Sequence, residues 1–313
     1  MKAIAIMDFG GRNRLQLMEL PRPEAGAGEV LIKVHAAGVN PVDWKIREGL
    51  LRTRLPHQFP VILGWDAAGV VETGGKKFRP GDEVYAYCRK PIVQHGAYAD
   101  YIAVPESSVA LKPRKFSFLE AAAVPLAALT AYQALFDAAG LKRGQTVLIH
   151  AAAGGVGGFA VQLAKERGAR VLATASAAKH DYVRGLGADE VVDYQGVDFR
   201  KAIRKLCPDG VDVVFDTVGG AVQTRSAEVV KRGGVLVSIL AFTDAAAIEK
   251  RGVRPEYVFV CPNGKQLAKL TELAEAGRLR TRVEQVFPLK DATKAHALIE
   301  AGHSTGKIVL RIS

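Results

Sequence analysis

Cysteine is scarce: Cys88, Cys207 and Cys261 stand singly among 313 residues. Three isolated thiols build no disulfide framework and no metal-ligand spacing, and such usage fits a reducing cytoplasm. Long apolar runs are missing too. None reaches the ~18 residues that a membrane-spanning helix needs. The opening Met1-Lys2-Ala3-Ile4-Ala5-Ile6-Met7-Asp8 is too short and meets a charge too early for a secretory signal. Aromatic residues make up only 7% of the chain and do not alternate with basic ones. The net charge is +11, but Lys and Arg are dispersed, with no dense basic run. That weighs against nucleic-acid binding, since a basic surface and an anionic cofactor explain the charge equally well. The seven histidines do not cluster, and no Ser/His/Asp or Cys/His arrangement is legible.

Glycine is abundant, with 32 residues, and one cluster is informative: Ala151-Ala152-Ala153-Gly154-Gly155-Val156-Gly157-Gly158. A strand candidate, Thr146-Val147-Leu148-Ile149-His150, precedes it, and a helix is expected from about Phe159 to Arg167. A second strand, Arg170-Val171-Leu172-Ala173-Thr174, follows. Strand, glycine turn, helix and strand within about 30 residues make a dinucleotide-binding βαβ unit. The spacing is G-x-G-x-x-A from Gly155 to Ala160. Gly155 and Gly157 let the backbone turn tightly against a pyrophosphate, and the helix start offers free N–H groups. Gly154, Gly155, Val156 and Gly157 are therefore the expected pyrophosphate cradle.

The end of the second strand discriminates between dinucleotides. An acid there would grip the adenosine ribose and repel a 2′-phosphate. This chain has Thr174-Ala175-Ser176-Ala177-Ala178-Lys179, hydroxyls and a lysine with no acid. That favours NADPH over NADH. Ser176 also fits the N-cap of the next helix, and Lys179 also fits a solvated first-turn lysine.

Along the chain, about 115 residues of short strands broken by Gly and Pro suit a small barrel or sandwich. The character changes near Ser117, where Ser117-Phe118-Leu119-Glu120 reads as a capping box opening an alanine-rich helical stretch. From Thr146 strands and helices alternate, with strands expected at 146–150, 170–174, 190–193, 211–216 and 234–239. The fold class is therefore α/β, with a doubly wound parallel sheet. The region Gly264–Gly277 reads as helix and Gly306–Ile312 as a strand.

Several segments together carry a resemblance: Gly38-Val39-Asn40-Pro41-Val42-Asp43-Trp44-Lys45, Leu63-Gly64-Trp65-Asp66-Ala67-Ala68-Gly69-Val70, Gly81-Asp82-Glu83-Val84, Gly96-Ala97-Tyr98-Ala99-Asp100-Tyr101, the glycine turn, Gly187-Ala188-Asp189, Val192-Asp193-Tyr194 and Gly306-Lys307-Ile308-Val309-Leu310. In this order, over essentially the whole chain, they resemble the medium-chain dehydrogenase/reductase superfamily, and within it the zinc-independent quinone oxidoreductases. The resemblance implies a GroES-like β-rich catalytic domain over 1–117 and 286–313. It also implies a Rossmann domain over 118–285, an active-site cleft at the junction, and a homodimer formed by edge-to-edge Rossmann domains.

The zinc-dependent branch of the superfamily holds its catalytic metal with a Cys, a Gly-His-Glu triplet and a later Cys or Asp. Here Asn40 stands at the first position, Trp65-Asp66 at the triplet and Leu126 near the last. A tetrahedral zinc site needs three protein ligands, so no metal is expected, and Asp66 is read as a hydrogen-bonding or cleft-lining residue. Without a Lewis acid an alkoxide is hard to stabilise, whereas hydride addition to a conjugated acceptor needs only hydrogen-bond donors at a distant oxygen.

The resemblance further implies that Ser176, Lys179 and Tyr194 surround the 2′-phosphate and that Thr217 lies near the adenosine ribose. Leu240, Ala241 and Phe242, with Phe259 and Val260, are expected at the nicotinamide, and Lys307 is expected to approach the cofactor. For Tyr194 a packed loop aromatic, and for Lys307 a strand-edge lysine, fit equally well. Asn40, Asp43 and Lys45 are expected in the loop facing the nicotinamide, with Asn40 or Lys45 donating to the substrate oxygen. The competing reading of Asp43 and Lys45 is a charge pair at a loop end, and Trp44 and Trp65 fit simple packing.

The implied activity is NADPH-dependent reduction of a quinone. An enone or 2-alkenal double-bond reductase would use the same residues. A non-enzymatic NADPH-binding, RNA-binding or redox-sensing protein is the alternative of another class.

Overall fold

The computed structural model describes all residues, Met1–Ser313. Two compact units divide the chain: Met1–Leu129 with Cys261–Ser313, and Thr130–Val260.

The first unit is built around the strand Glu29–Val39, long enough at 11 residues to serve two partners on one side. Its first half pairs with Tyr101–Pro105 and its second half with the C-terminal strand Lys307–Arg311. On the other side it pairs with Asp66–Thr73, which continues to Glu83–Tyr87 and Val109–Leu111, all antiparallel. Val283–Pro288 joins Lys307–Arg311 in parallel and completes a seven-stranded sheet. A three-stranded sheet of Gln16–Glu19, Lys2–Ile6 and Val61–Ile62 packs in the same unit. The last strand thus returns to the first domain, with Ile308 opposite Val39 and Arg311 opposite Ala36.

The second unit is a six-stranded, all-parallel sheet. Its order is Glu190–Asp193, Arg170–Ala175, Thr146–Ile149, Val211–Asp216, Val230–Ser238, Arg254–Tyr257. This is the doubly wound order 3-2-1-4-5-6, whose ligand crevice lies where the order reverses, between the first and fourth strands. Buried Leu148, Leu172, Val214 and Leu236 pack with Phe199, Ile203 and Ile248 in its core. The five expected strands are present within a few residues. The sixth, Arg254–Tyr257, was not expected.

The units divide elsewhere than at 117/118 and 285/286, for reasons of packing. The Ser117–Glu120 capping box forms, with the Ser117 amide 2.8 Å from the Glu120 carboxylate. The helix it opens, Phe118–Ala122, lies against the first unit's sheet. The Ala122 carbonyl faces Gly38, and the Leu126 amide donates to Asp66 at 2.7 Å. The helix Gly264–Glu275 also belongs to the first unit. Gly264 packs on the carbonyls of Ser107 and Val109, and the Tyr85 hydroxyl donates to the Leu267 carbonyl at 2.8 Å.

A second correction concerns Asn40–Lys45, expected as a loop. Pro41–Arg47 is a helix, with Asn40 at its N-cap, Pro41 in its first turn and Asp43 accepting the Asn40 N–H at 2.7 Å. Asn at N-cap, Pro at the first helical position and an acid at the third are start signals that reinforce one another.

Gly38 is held to glycine by this packing. A Cβ there would run into the Ala122 carbonyl oxygen and lie 2.9 Å from Asp66 Oδ2. Gly38→Ala is expected to lower unfolding stability by about 1–3 kcal/mol, read as a reduced urea midpoint with an unchanged m-value. An unchanged midpoint would show that the two segments separate freely.

Candidate functional site

The glycine turn forms, and it begins the helix earlier than expected, at Gly155 rather than Phe159. The helix runs Gly155–Glu166 with Gly154 at its N-cap, and no side chain caps it. Gly155, Val156 and Gly157 therefore occupy the first turn, where N–H groups have no intrahelical acceptor. Ala151, at the strand end, adopts φ 48°, the only non-glycine positive φ in the chain. Such a residue costs about 1–3 kcal/mol and persists only where its surroundings fix it. A Cβ at Gly157 would meet the Ala151 carbonyl oxygen and lie 2.7 Å from Ala152 Cα. Of the turn's glycines, Gly157 is the one that close approach demands.

The neighbouring strand ends carry the other expected groups of this unit. Ser176 follows Arg170–Ala175 at the N-cap of the short helix Ala177–Lys179, yet its hydroxyl makes no capping hydrogen bond. Ser176 and Lys179 are both partly exposed. Tyr194 follows the next strand, Glu190–Asp193, and is 53% exposed, so it is not a packed loop aromatic. Thr217 follows Val211–Asp216 and donates to the His150 carbonyl at 3.0 Å. Leu240, Ala241 and Phe242 follow Val230–Ser238. The Leu240 amide is fixed by Ser238 Oγ at 3.0 Å, and Phe242 packs on the core. Phe259 and Val260 follow Arg254–Tyr257, and Val260 is buried. All of these lie at the carboxyl ends of parallel strands, where this sheet type binds ligands. Uncapped donors on Gly155–Gly157 and the cradle at Gly157 fit a dinucleotide pyrophosphate.

Thr174 differs from expectation in its role. It is buried, and its hydroxyl is taken up by the His150 ring at 3.1 Å and the Ala151 N–H at 3.3 Å. His150 and Asp216 were missed by the sequence reading. Asp216 is fully buried and accepts from the amides of Val218 and Gly219, both at 2.9 Å, and from Gln223 and Ser238. The available signal was a polar residue at the end of each strand, His150 in Thr146–His150 and Asp216 in Val211–Asp216.

In the first unit a second polar cluster surrounds Asn40. Lys307 is buried, donating to Asn40 Oδ1 and, at 3.1 Å, to the Val39 carbonyl, with Asp66 Oδ2 at 3.8 Å. It is therefore not a strand-edge lysine. The Asn40 amide donates to Asp66 Oδ2 at 2.9 Å, and Asp66 Oδ1 accepts the Leu126 N–H. The positions compared above with zinc ligands are thus tied together by hydrogen bonds around an ammonium group. Asp66 has both oxygens engaged and a cation beside it, an arrangement that does not fit a metal ion. No group of three or more His, Cys, Asp or Glu side chains converges elsewhere.

Asp43 is fully buried and its Oδ2 accepts from the Asn40 backbone N–H and, at 3.0 Å, from the Tyr98 hydroxyl, while Oδ1 has no partner. Asp43 and Lys45 sit two apart on a helix and face different ways, so they form no charge pair. Lys45 lies along Trp44, its Nζ 5.7 Å from the ring centroid, and burial lowers its pKa. Trp65 packs edge-on to Tyr87. A cavity of about 570 Å³ between Phe78, Leu111 and Asn263 contains none of the expected site residues.

With this geometry in place, the likeness to known proteins is decisive. A family model described as "Alcohol dehydrogenase GroES-like domain" matches residues 26–114, and one described as "Zinc-binding dehydrogenase" matches 186–310. The 2-methylene-furan-3-one reductase of Solanum lycopersicum is 37% identical over 99% of this chain and 79% of its own. The NADPH-dependent alkenal/one oxidoreductase, chloroplastic, of Arabidopsis thaliana matches at the same identity and coverage. The structure of the quinone oxidoreductase from Coxiella burnetii has a TM-score of 0.89 at 37% identity, covering 100% of this chain and 99% of that one. The chain belongs to the medium-chain dehydrogenase/reductase superfamily, among its quinone oxidoreductase-like oxidoreductases. No helix is long and apolar enough to cross a membrane.

The two buried carboxyls set a pH dependence. Burial pushes Asp43 up to about 7, with Asp66 adding to the rise, and burial pushes Asp66 up to about 6 against the pull of Lys307. The folded state therefore holds protons that the unfolded state releases near pH 4. This stabilisation is complete below that pH and is lost as pH rises towards 7, at up to about 1.4 kcal/mol per pH unit for each titrating carboxyl. Asp43→Asn, which resembles the neutral acid, is expected to flatten the fall in urea midpoint between pH 4.5 and 7.5. Parallel profiles for the two proteins would contradict this assignment.

Proposed function

We propose that this protein is an NADPH-dependent reductase that delivers hydride to a quinone without a metal ion. One observation carries the cofactor choice: beside the glycine turn, the strand Arg170–Ala175 ends in Ser176 and Lys179, with an uncommitted hydroxyl and no acid. Bound NADPH supplies the hydride. The first turn of Gly155–Glu166 holds the pyrophosphate, Ser176 and Lys179 grip the 2′-phosphate, and Tyr194 flanks it. Thr217 serves the ribose side, and Leu240, Ala241, Phe242, Phe259 and Val260 form the apolar surface for the nicotinamide.

On the reaction side, Lys45 is the donor to the substrate oxygen. Its half-buried ammonium is short of hydration, which strengthens a hydrogen bond to an oxygen gaining charge. Asn40 and Asp43 position the helix that carries it, since the Asn40 amide is engaged by Asp66 and Lys307. Lys307 acts in this cluster. Its ammonium sits beside the Asp66 carboxylate and bonds the Asn40 side chain, which supports the metal-free reading. Reduction of a conjugated enone or 2-alkenal is the second reading, favoured by the two plant relatives at 37% identity, whose names specify such substrates. We also propose a cytoplasmic homodimer. The edge position of Arg254–Tyr257 and three cysteines that form no disulfide support this.

The test is turnover on a panel of quinones, enones and 2-alkenals with NADPH and NADH, followed by product identification. Ser176→Ala with Lys179→Ala is expected to raise KM for NADPH by about 10- to 100-fold, the worth of charge-assisted hydrogen bonds, and to leave NADH turnover nearly unchanged. An unaltered preference would remove the phosphate-site assignment.

A further inference from the structure

Beneath the glycine turn runs a directed chain of hydrogen bonds that no part of the reading above requires. The Ser226 hydroxyl donates to the Val222 carbonyl at 2.6 Å, so its oxygen is left to accept. Its partner is His150 Nε2 at 2.9 Å, which must therefore carry the proton. Burial pushes the His150 imidazole down to about 4, against a smaller pull from Asp216, so the ring is neutral at pH 7. Nδ1 is then an acceptor, and the Thr174 hydroxyl donates to it at 3.1 Å. Thr174 Oγ1 in turn accepts the Ala151 N–H at 3.3 Å. Each donor has one acceptor, and the tautomer follows from the direction of the chain. Phe199 closes the outer side of the ring with an edge contact at 4.9 Å.

The chain ends on Ala151, the residue with the left-handed backbone. The Ala151 carbonyl also accepts the Gly154 N–H at 3.0 Å, and the Ala152 amide donates to the Thr174 carbonyl at 3.0 Å. Thr174 thus holds the turn through both its side chain and its backbone. His150 ties this contact to Ser226 on the helix Gly220–Ser226, 76 residues away.

We propose that the His150–Thr174–Ser226 relay is a positioning device for the dinucleotide. It fixes the Ala151 turn from beneath, and so sets the direction of the Gly155–Gly157 N–H groups that meet the pyrophosphate. His150, Thr174 and Ser226 are positioning residues and touch no ligand. The proposal rests on the dinucleotide reading of the glycine turn.

Thr174→Val keeps the side-chain shape, removes the hydroxyl and leaves Ala151 N–H and His150 Nδ1 unpaired. Two ligands separate its effects: NADPH, and adenosine 2′-monophosphate, which has a phosphate for Ser176 and Lys179 but no pyrophosphate. The variant is expected to weaken NADPH about tenfold while holding adenosine 2′-monophosphate within about twofold, and Thr174→Ser to restore NADPH binding. In the ligand-free protein, amide exchange over 151–157 is expected to quicken about tenfold in Thr174→Val and not in Thr174→Ser. Unchanged NADPH affinity, equal weakening of both ligands, or failure of serine to rescue would overturn the proposal. If Thr174→Val does not fold, Ser226→Ala gives the same readouts from the far end of the chain. A wild-type protein that binds neither NADPH nor NADH would sink the cofactor reading itself, and the exchange rates would then decide the relay alone.

Discussion

The dinucleotide half of this protein depends on one close approach. The first turn of Gly155–Glu166 presses against the strand end at Ala151, and a side chain at Gly157 would not fit. At this contact Ala151 lies in the left-handed region, and the helix starts uncapped at the reversal point of the sheet. An uncapped N-terminus has unsatisfied N–H groups and a positive dipole end, the features that would meet the proposed pyrophosphate. The packed strands beneath supply the rigidity, since Leu148, Leu172 and Val214 are fully buried.

In the first unit the equivalent constraint is electrostatic. Asp43, Asp66 and Lys307 are all buried, and charges removed from water persist only when paired or neutralised. Lys307 donates to Asn40 and the Val39 carbonyl, Asn40 bridges to Asp66, and Asp66 holds the Leu126 amide. Asp43 instead is raised towards neutrality. The same bonds pin the start of Pro41–Arg47, which carries Lys45. The helix that carries Lys45, the proposed donor, thus starts from a network that keeps its own polar residues occupied.

How far the sequence disclosed this varied with the range of the interaction. The parallel strands were legible because buried-sheet strands carry continuous apolar runs, as in Val147–Ile149 and Val213–Phe215. Arg254–Tyr257 was not. It reads Arg-Pro-Glu-Tyr, with two charges and a proline, a composition tolerated because the strand is an edge. The helix Pro41–Arg47 escaped notice although its Asn-Pro-x-Asp start was visible, because it has only seven residues and a motif resemblance suggested a loop. The bond from Lys307 to Asn40 spans 267 residues, a distance no local pattern reports. Thr174 was named, but its role depends on His150 and Ser226, which only the fold brings together.

Hydride transfer from NADPH without a metal can be followed isotopically. The most direct measurement uses NADPH deuterated at the transferring position, with an enone acceptor, on protein dialysed against a strong chelator. Undiminished turnover with deuterium on the substrate's β-carbon is the expected result. Loss of turnover on chelation with recovery on adding zinc, or a product without deuterium, would contradict it.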